Sequence, residues 1–399
     1  MSKPVLTVVG GGMGDAATLT AEGTEAIRTA KRALAPPRLA EAFRELNGSI
    51  ITAGIPETLA ALENNSGDAV VIVSGDCGFY SLAALLRERL RERYALRLLP
   101  GISSLQYFCA LLGTAWQDVK AVSLHGRAGS LAGPVSYNNK VFALAGGENG
   151  TGEILCSLEK AGLGFVTAHV GENLGAAAER IVSDSVEALA SGEYAGLSVL
   201  LLENLRPGNP GARLRDDDFM RGGTPMTKEE VRVLAVSRLE VAPRHTVWDI
   251  GAGTGSVSTA LAYAACEGEV FAVERDAEAL GLLRENREKL GAYNMQVVEG
   301  EAPSCLEGLP IPDRVFVGGS GGQLRELLEL LTKLPGGRRV CVTAIVLETL
   351  SAALEALREL GWADIELSCI NVSRAKAAGS LHMMIAQNPV YIISAELER

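Results

Sequence analysis

Two turns in this chain carry the residue types that let a backbone close on a bound ligand. In VWDIGAGTGSVS, from Val247 to Ser258, the acid Asp249 is followed by Gly251, Gly253 and Gly255. A residue without a Cβ lets the main chain turn tightly and come close to a ligand. Glu274 ends the next apolar run about twenty residues later, the usual distance for an acid that takes ribose hydroxyls in a βαβ unit. The chemistry implied is the binding of a nucleoside-bearing cofactor, and a nicotinamide cofactor would give the same coarse pattern. The opening turn, VVGGGMGDAATLT from Val8 to Thr20, repeats the theme. Read through Gly10, Gly12 and Asp15, with Gly14 beside it, it lacks the third glycine of a dinucleotide fingerprint.

Such turns need strands before them and helices after them. In the first half PVLTVVG, AVVIVSG, LRLLPG, AVSLHG, KVFALAG, GFVTAHVG and LSVLLLEN read as strands, while TLTAEGTEAIRTAKRAL and FYSLAALLRERLRERY carry apolar residues at three and four spacing and read as helices. The pattern restarts around Gly113 to Asp118, which predicts two smaller α/β lobes with a cleft between them. RPGNPGARLRDDDFMRGG, from Arg206 to Gly223, is rich in proline, glycine and charge and reads as a linker. Beyond it, strands and helices alternate again. HTVWDI, EVFAVE, MQVVEG, DRVFVGG and RRVCVTAI interleave with helices over 227–239, after Gly255, and over 277–290, 323–331 and 347–360; IELSCINV and a final strand HMMIAQNPVYIIS close the chain. That order predicts a doubly wound sheet with an added terminal hairpin. The expected units are 1–206, with lobes of about 1–115 and 116–206, then a linker 207–222 and a domain 223–399.

A length of 399 residues exceeds one domain of roughly 100 to 200 residues. A net charge of −11 and 5% aromatic residues argue against a nucleic-acid partner, which needs basic patches and stacking platforms. An anionic substrate must then be met by a few local arginines and lysines. The seven cysteines form no CxxC pair, so they read as buried thiols in a reducing compartment, and no metal site is expected. No apolar run approaches the ~18 residues of a membrane span. A cytoplasmic protein without a membrane partner is expected.

The second turn lies in company that narrows it. RGGTPMTKEEVR, VWDIGAGTGSVS, FAVERDAEAL, VFVGGSGG, VLETL, INVSRAK and AQNPVYII together resemble the decarboxylating precorrin methyltransferases of corrin-ring synthesis, a class I Rossmann-like fold using S-adenosylmethionine. The resemblance spans nearly all of Arg221 to Ser394. It implies that Asp249 belongs to the cofactor-binding set, that Gly251, Gly253 and Gly255 approach the methionine part of the donor, that Glu274 takes its ribose, and that Glu301, where aspartate is more usual, lies with Ala302 near its adenine. Gly319, Ser320 and Gly321, in a loop with few side chains, leave room for a large flat ring. Thr227, Lys228, Arg374 and Lys376 are candidates to hold its carboxylates, each equally readable as surface. His382 could protonate the carbanion left by decarboxylation, although a lone strand histidine also serves structure; Glu229 is either a catalytic acid or a helix-start acid favoured by the dipole.

The first half, with VSGDCGFYSLAALL, PGISSLQ, SLHGR, ALAGGENGTGEI and VGENLG after the opening turn, resembles the tetrapyrrole methylases, a class III methyltransferase fold, over Pro4 to Asn204. Within that family it is similar to those that methylate carbon 5 of a precorrin ring. The resemblance gives Asp76, Gly78, Phe79, Ser103 and Ser104 to the donor, with Leu144 and Ala145 closing from the second lobe. Gly12, Gly14, Asp15 and Arg127 go to the substrate side. Met13 and Cys77 replace prolines usual in the family, softening turns without adding a reactive group. Taken together the resemblances imply one S-adenosylmethionine per half and methylation of precorrin-6B at carbons 5 and 15, with loss of the carbon-12 acetate carboxyl. A cobalt-loaded ring, or an RNA or protein substrate for the second fold, stays open at this point. A homo-oligomer, tetrameric through the second half, is expected from the families' habit.

Overall fold

The computed structural model describes residues 3–124, 129–146 and 149–398. Three sheets follow one another along the chain. The first contains β1 (Val5–Gly10), β2 (Ala33–Ala35), β3 (Ile51–Thr52), β4 (Ala69–Val73) and β5 (Ala95–Leu99) in the order β3-β2-β4-β1-β5, with every pairing parallel. Both faces are covered, which is why β4 is an unbroken apolar run. Alternation along the strands sends Leu6 and Val8 to a core with Leu86 and Leu90, and sends Val9 and Ile72 to another with Ile27 and Phe43.

The helix Ser104–Leu112 leaves this sheet, capped at its start by Ser103 and Gln106 and stopped by Gly113 at φ 65°. Here the sequence pattern restarts, and β6 (Lys120–Ser123), β7 (Lys140–Leu144), β8 (Thr167–Glu172), β9 (Arg180–Ser185) and β10 (Ser198–Glu203) form a second sheet in the order β6-β7-β10-β8-β9. Only its β6–β7 pair is parallel.

The third sheet takes β11 (Thr246–Ile250), β12 (Glu269–Glu274), β13 (Met295–Glu299), β14 (Arg314–Val317), β15 (Arg338–Ala344), β16 (Ala363–Ile370) and, after β17 (Ser373–Ala378) and β18 (Leu381–Ala386), β19 (Val390–Leu397). Its order is β13-β12-β11-β14-β15-β19-β16, with β11 to β15 parallel and β19 antiparallel to both neighbours. The expected final strand is thus two. Pro389 cannot donate to a ladder, and the chain leaves the β17–β18 hairpin at Gln387 before re-entering the sheet as β19.

The expected linker 207–222 is not a free connector. Asp216, 6% exposed, accepts hydrogen bonds from Glu229 N (2.9 Å) and Arg374 Nη1 (2.7 Å) and faces the buried Arg232 at 3.5 Å. Phe219 is buried with the Arg232 guanidinium 4.8 Å from its ring centre. A charge that is out of water needs its partner, so this stretch is held to the third sheet's helix Glu229–Leu239.

The two halves are bonded to each other. Tyr137 Oη donates to Asn294 Oδ1 (2.7 Å), Lys120 Nζ to Glu267 Oε1 (2.6 Å), and Arg287 to the carbonyl of Ala161. A Cβ on Gly133 would stand 2.7 Å from the carbonyl oxygen of Cys266, so the helix Ala132–Tyr137 lies directly on the chain leading into β12. The cysteines are less uniformly buried than expected: Cys77, Cys109 and Cys341 are buried, Cys156, Cys266 and Cys305 are half-buried, and Cys369 is exposed. Among the described residues no helix is long and apolar enough to cross a membrane, and no three His, Cys, Asp or Glu side chains gather as a metal site.

Candidate active sites

In the first half three strand ends meet at glycines. A Cβ on Gly101 would lie 2.4 Å from the carbonyl oxygen of Gly75 and 2.6 Å from that of Gly10. Gly12 (φ 56°) and Gly75 (φ 65°) exchange backbone hydrogen bonds, 3.2 Å from Gly12 N and 2.9 Å from Gly75 N. This crossing brings the ends of β1, β4 and β5 under a cavity of about 790 Å³, walled on the far side by Leu144, Ala145, Gly171 and Val199 of the second sheet. That size suits a ligand of a few hundred daltons.

Of the residues expected at the donor, Gly78, Phe79, Ser104, Leu144 and Ala145 line this cavity. Asp76 and Ser103 stand behind the wall. The Asp76 carboxylate accepts from Gly78 N (2.7 Å) and Gly101 N (3.0 Å), tying two loops together, and Ser103 caps the helix behind it. On the substrate side Met13 reaches the cavity, but Gly12, Gly14 and Asp15 do not line it; Asp15 caps the turn Ala16–Thr18 instead. Arg127 lies outside the described residues. Cys77 is on the wall with its thiol donating to Leu99 O (3.1 Å), and burial raises its pKa to about 11. It stays protonated at neutral pH and is no nucleophile.

Arg38 was missed. Its guanidinium reaches the cavity, held by Met13 O (2.6 Å) and Ser74 Oγ (3.0 Å), and among the described residues it pairs with no carboxylate. Gly14 is what admits it, since a Cβ there would stand 2.7 Å from Arg38 Nη1. In the sequence it was one arginine in APPRLAE with no periodic or motif signal.

The second half gathers its site along the C-terminal ends of β11 to β15. Gly251 (φ 73°), Gly253 (φ 56°) and Gly255 (φ 79°) adopt the left-handed conformation that disfavours other residues. Gly253 N donates to Glu274 Oε2 (2.8 Å), while Arg275 N and Asp276 N donate to Glu274 Oε1 (2.8 and 2.9 Å). The acid is thereby fixed at the rim of a cavity of about 200 Å³, with Glu301, Ala302, Gly319, Ser320 and Gly321. Glu301 is ion-paired to Arg275. Beyond Gly251 a second cavity of about 530 Å³ is lined by Thr227, Lys228, Gly253, Thr254, Thr343, Gln387 and Asn388. Lys228 forms no ion pair among the described residues.

Asp249 does not face either cavity. It is fully buried below the turn, with one oxygen accepting from Ser258 Oγ and Oδ1 lacking any partner; burial raises its pKa to about 7, against the Ser258 bond and with Glu274's charge adding to the rise. Thr254 Oγ1, also buried, has no partner either. Unpaired polar atoms are costly where water is absent, and both lie at the turn.

Four expected residues are placed elsewhere. Arg374 is bound to Glu230 and Asp216, which raise its pKa above its ordinary value. Lys376 and His382 are exposed on the β17–β18 hairpin, and neither is among the residues lining the cavity. Glu229 begins a helix and takes a hydrogen bond from Arg213, the helix-start role. Gln387 and Asn388 were not singled out, because only the turn between β18 and β19 carries them back to Gly253.

Comparison with known proteins separates the halves and joins them. The tetrapyrrole (corrin/porphyrin) methylase family matches residues 5–190, and the precorrin methyltransferase domain family matches 217–396. A precorrin-6Y C(5,15)-methyltransferase (decarboxylating) from a Sinorhizobium species is 30% identical over 394 residues, covering 95% of this chain and 93% of that protein. The chain belongs to the precorrin-6Y C(5,15)-methyltransferase (decarboxylating) family. It is therefore an enzyme, a methyltransferase of cobalamin biosynthesis, and the alternative of an RNA or protein methyltransferase falls away. A cobalt-precorrin-6B C(15)-methyltransferase (decarboxylating) of Salmonella typhimurium is 38% identical over 187 residues, 46% of this chain and 96% of its own. A crystal structure of a precorrin-6Y C5,15-methyltransferase from Geobacter metallireducens, at 39% identity, covers 46% of this chain and 96% of its own with a TM-score of 0.44.

Proposed function

We propose that each half binds one S-adenosylmethionine, that the first methylates carbon 5 of precorrin-6B, and that the second methylates carbon 15 and removes the carboxyl of the carbon-12 acetate. The observation that carries this is the pair of glycine-walled cavities, each with an arginine or lysine that no acid neutralises among the described residues. A relative named for carbon 15 and decarboxylation matches 187 residues, 46% of this chain, close in length to the precorrin methyltransferase match over 217–396, which supports giving those steps to that half.

When bound, the donor supplies an electrophilic methyl carbon on a sulfonium. The residues present fit it: Gly251 leaves space that a Cβ would close, Glu274 is pinned with its oxygens at the rim, and Thr254, on the cavity wall, holds an unpaired hydroxyl. An electron-rich ring carbon is its own nucleophile, so the protein mainly positions. Lys228 and Thr227 can take ring carboxylates, and Gln387 and Asn388 offer amides across the cavity. The acetate to be lost needs a water-poor pocket, with the conjugated ring receiving its electrons.

In the first cavity Arg38 is placed to take a carboxylate by charge-assisted hydrogen bonds. Arg38→Ala should raise KM for the tetrapyrrole in carbon-5 methylation about tenfold, the loss of one charged hydrogen bond, with donor affinity and the second half's reaction unchanged. Titration calorimetry with the donor and steady-state kinetics with the ring check the split.

A homo-oligomer assembled through the second half is also part of this reading. The hairpin β17–β18 stands outside the sheets with Leu381 73%, Met383 57% and Met384 63% exposed, more apolar surface than a solvated ribbon needs. Changing Met383 and Met384 together to lysine should shift sedimentation toward a smaller species.

The test of the whole reading is product mass from the full chain and from each half cut near Pro207, with metal-free and cobalt-loaded ring as separate arms. Two added methyls and one lost carboxyl from the full chain, the loss following the second half, support it. Decarboxylation by the first half alone would overturn the assignment.

A further inference from the structure

The second half's cavities follow the C-terminal ends of its strands: Gly251 after β11, Glu274 at the end of β12, Glu301 after β13. Its contacts with the first half come from the other edge. Glu267 and Cys266 precede β12, Asn294 precedes β13, Arg287 is in the last turn of the helix Ala277–Lys289, and Tyr293 follows that helix. In parallel strands these edges are one strand length apart.

The second sheet repeats the arrangement in mirror. Ser123, Leu144 and Val199 are in register at one end and line the first cavity. Toward the other end Lys140 pairs with Glu203 and Lys120 with Val141, and there Lys120 and the neighbouring Tyr137 make the contacts with the second half. The second half does approach the first cavity's rim at Arg244, which lies near Tyr80. Arg244 precedes β11, however, and so belongs to the docking edge. At ~3.3 Å per residue, the 5 residues of β11 and 6 of β12 put roughly 15–20 Å between the second half's site and the interface.

The interface itself is packed. Tyr137 is 8% exposed and lies edge-on to Tyr263 with ring centres 5.5 Å apart, and Gly133 has no room for a Cβ against Cys266 and Gly268. A macrocycle with carboxylate arms has no way between such surfaces, and it has no covalent tether on which to swing.

We infer that the two sites stand back to back, so that the ring modified at one is released into solvent before it binds at the other. The inference rests on the two-site function proposed above. It is tested by following the singly processed ring by mass spectrometry over time, with the full chain at several concentrations and ring and donor fixed and in excess. Release predicts that the intermediate collects in the free pool and that the lag before final product shortens in inverse proportion to the enzyme. It predicts also that Gly101→Ala and Gly251→Ala chains, each disabled at one site, restore final product when mixed, at about half the rate of an equal total of the unaltered chain. Each variant is first shown to keep the reaction of its intact half, which excludes misfolding. A lag that does not change with enzyme concentration, with no final product from the mixture, would overturn the inference. Absence of both methylations from the unaltered chain would instead fail the proposed function.

Discussion

Gly251→Ala is expected to lower methylation at carbon 15 a hundredfold or more and to abolish decarboxylation, while the first half still adds its methyl. A left-handed residue with a Cβ costs about 1–2 kcal/mol on conformation alone, and Gly251 sits at φ 73°. The larger effect is steric. The new Cβ would stand 2.4 Å from Gly319 O, 2.7 Å from Gly319 N and 2.9 Å from Gly319 Cα, all main-chain atoms that no rotamer can move away. The turn after β11 and the loop after β14 must part, and these are the walls between which donor and ring would meet. Displacements near 1 Å at a reacting centre cost on the order of a hundredfold. Product mass decides it: one added methyl with no loss of carbon dioxide is expected, and full conversion would show that the loop after β14 yields freely.

Asp249 should make the second half less stable as pH rises from 4 to 7. The carboxyl is fully buried and its pKa lies at about 7 in the folded chain, against an ordinary value of 3.8. Between those values the folded chain holds a proton that the unfolded chain releases. The stabilisation is therefore complete below about pH 4 and is lost as pH passes through 7, an interval of roughly three pH units worth about 4 kcal/mol. Asp249→Asn cannot titrate and should lack that fall. Denaturant unfolding of the full chain, resolved into its second-half transition at pH 4 and pH 8, should show the difference between variant and parent shifting by this amount in the variant's favour. Parallel profiles would mean that Asp249 is ionised throughout.

What the sequence discloses about these sites follows the reach of local rules. The glycine turn at Gly251–Gly255 and the acid Glu274 were legible because a strand, a turn and the next strand's end are fixed by a short stretch of chain. Gly78, Phe79, Leu144 and Ala145 were placed through family resemblance, and the structure brings all four to one cavity. Arg38 was silent, since its role depends on Gly14 and Ser74 meeting it from distant parts of the chain. Lys376 and His382 stand outward on the β17–β18 hairpin, and Arg374 turns back onto Asp216 and Glu230, placements that depend on how the hairpin leaves the sheet rather than on the local sequence. The strands β2 and β3, three residues or shorter, and the strand RIVSDS carry no alternation strong enough to read.

Asp216 comes from a stretch whose composition marks it as spacer, but its bonds place it in the second half. Arg232, 1% exposed, donates to the carbonyl of Leu214 (2.6 Å) and faces the Asp216 carboxylate, and Arg374 of the hairpin closes on the same acid. A second half that began at residue 223 would bury the Arg232 guanidinium without the carboxylate it faces. The heritable unit, the length of chain that could be parted from its neighbour or joined to another with these bonds intact, therefore starts upstream of Leu214.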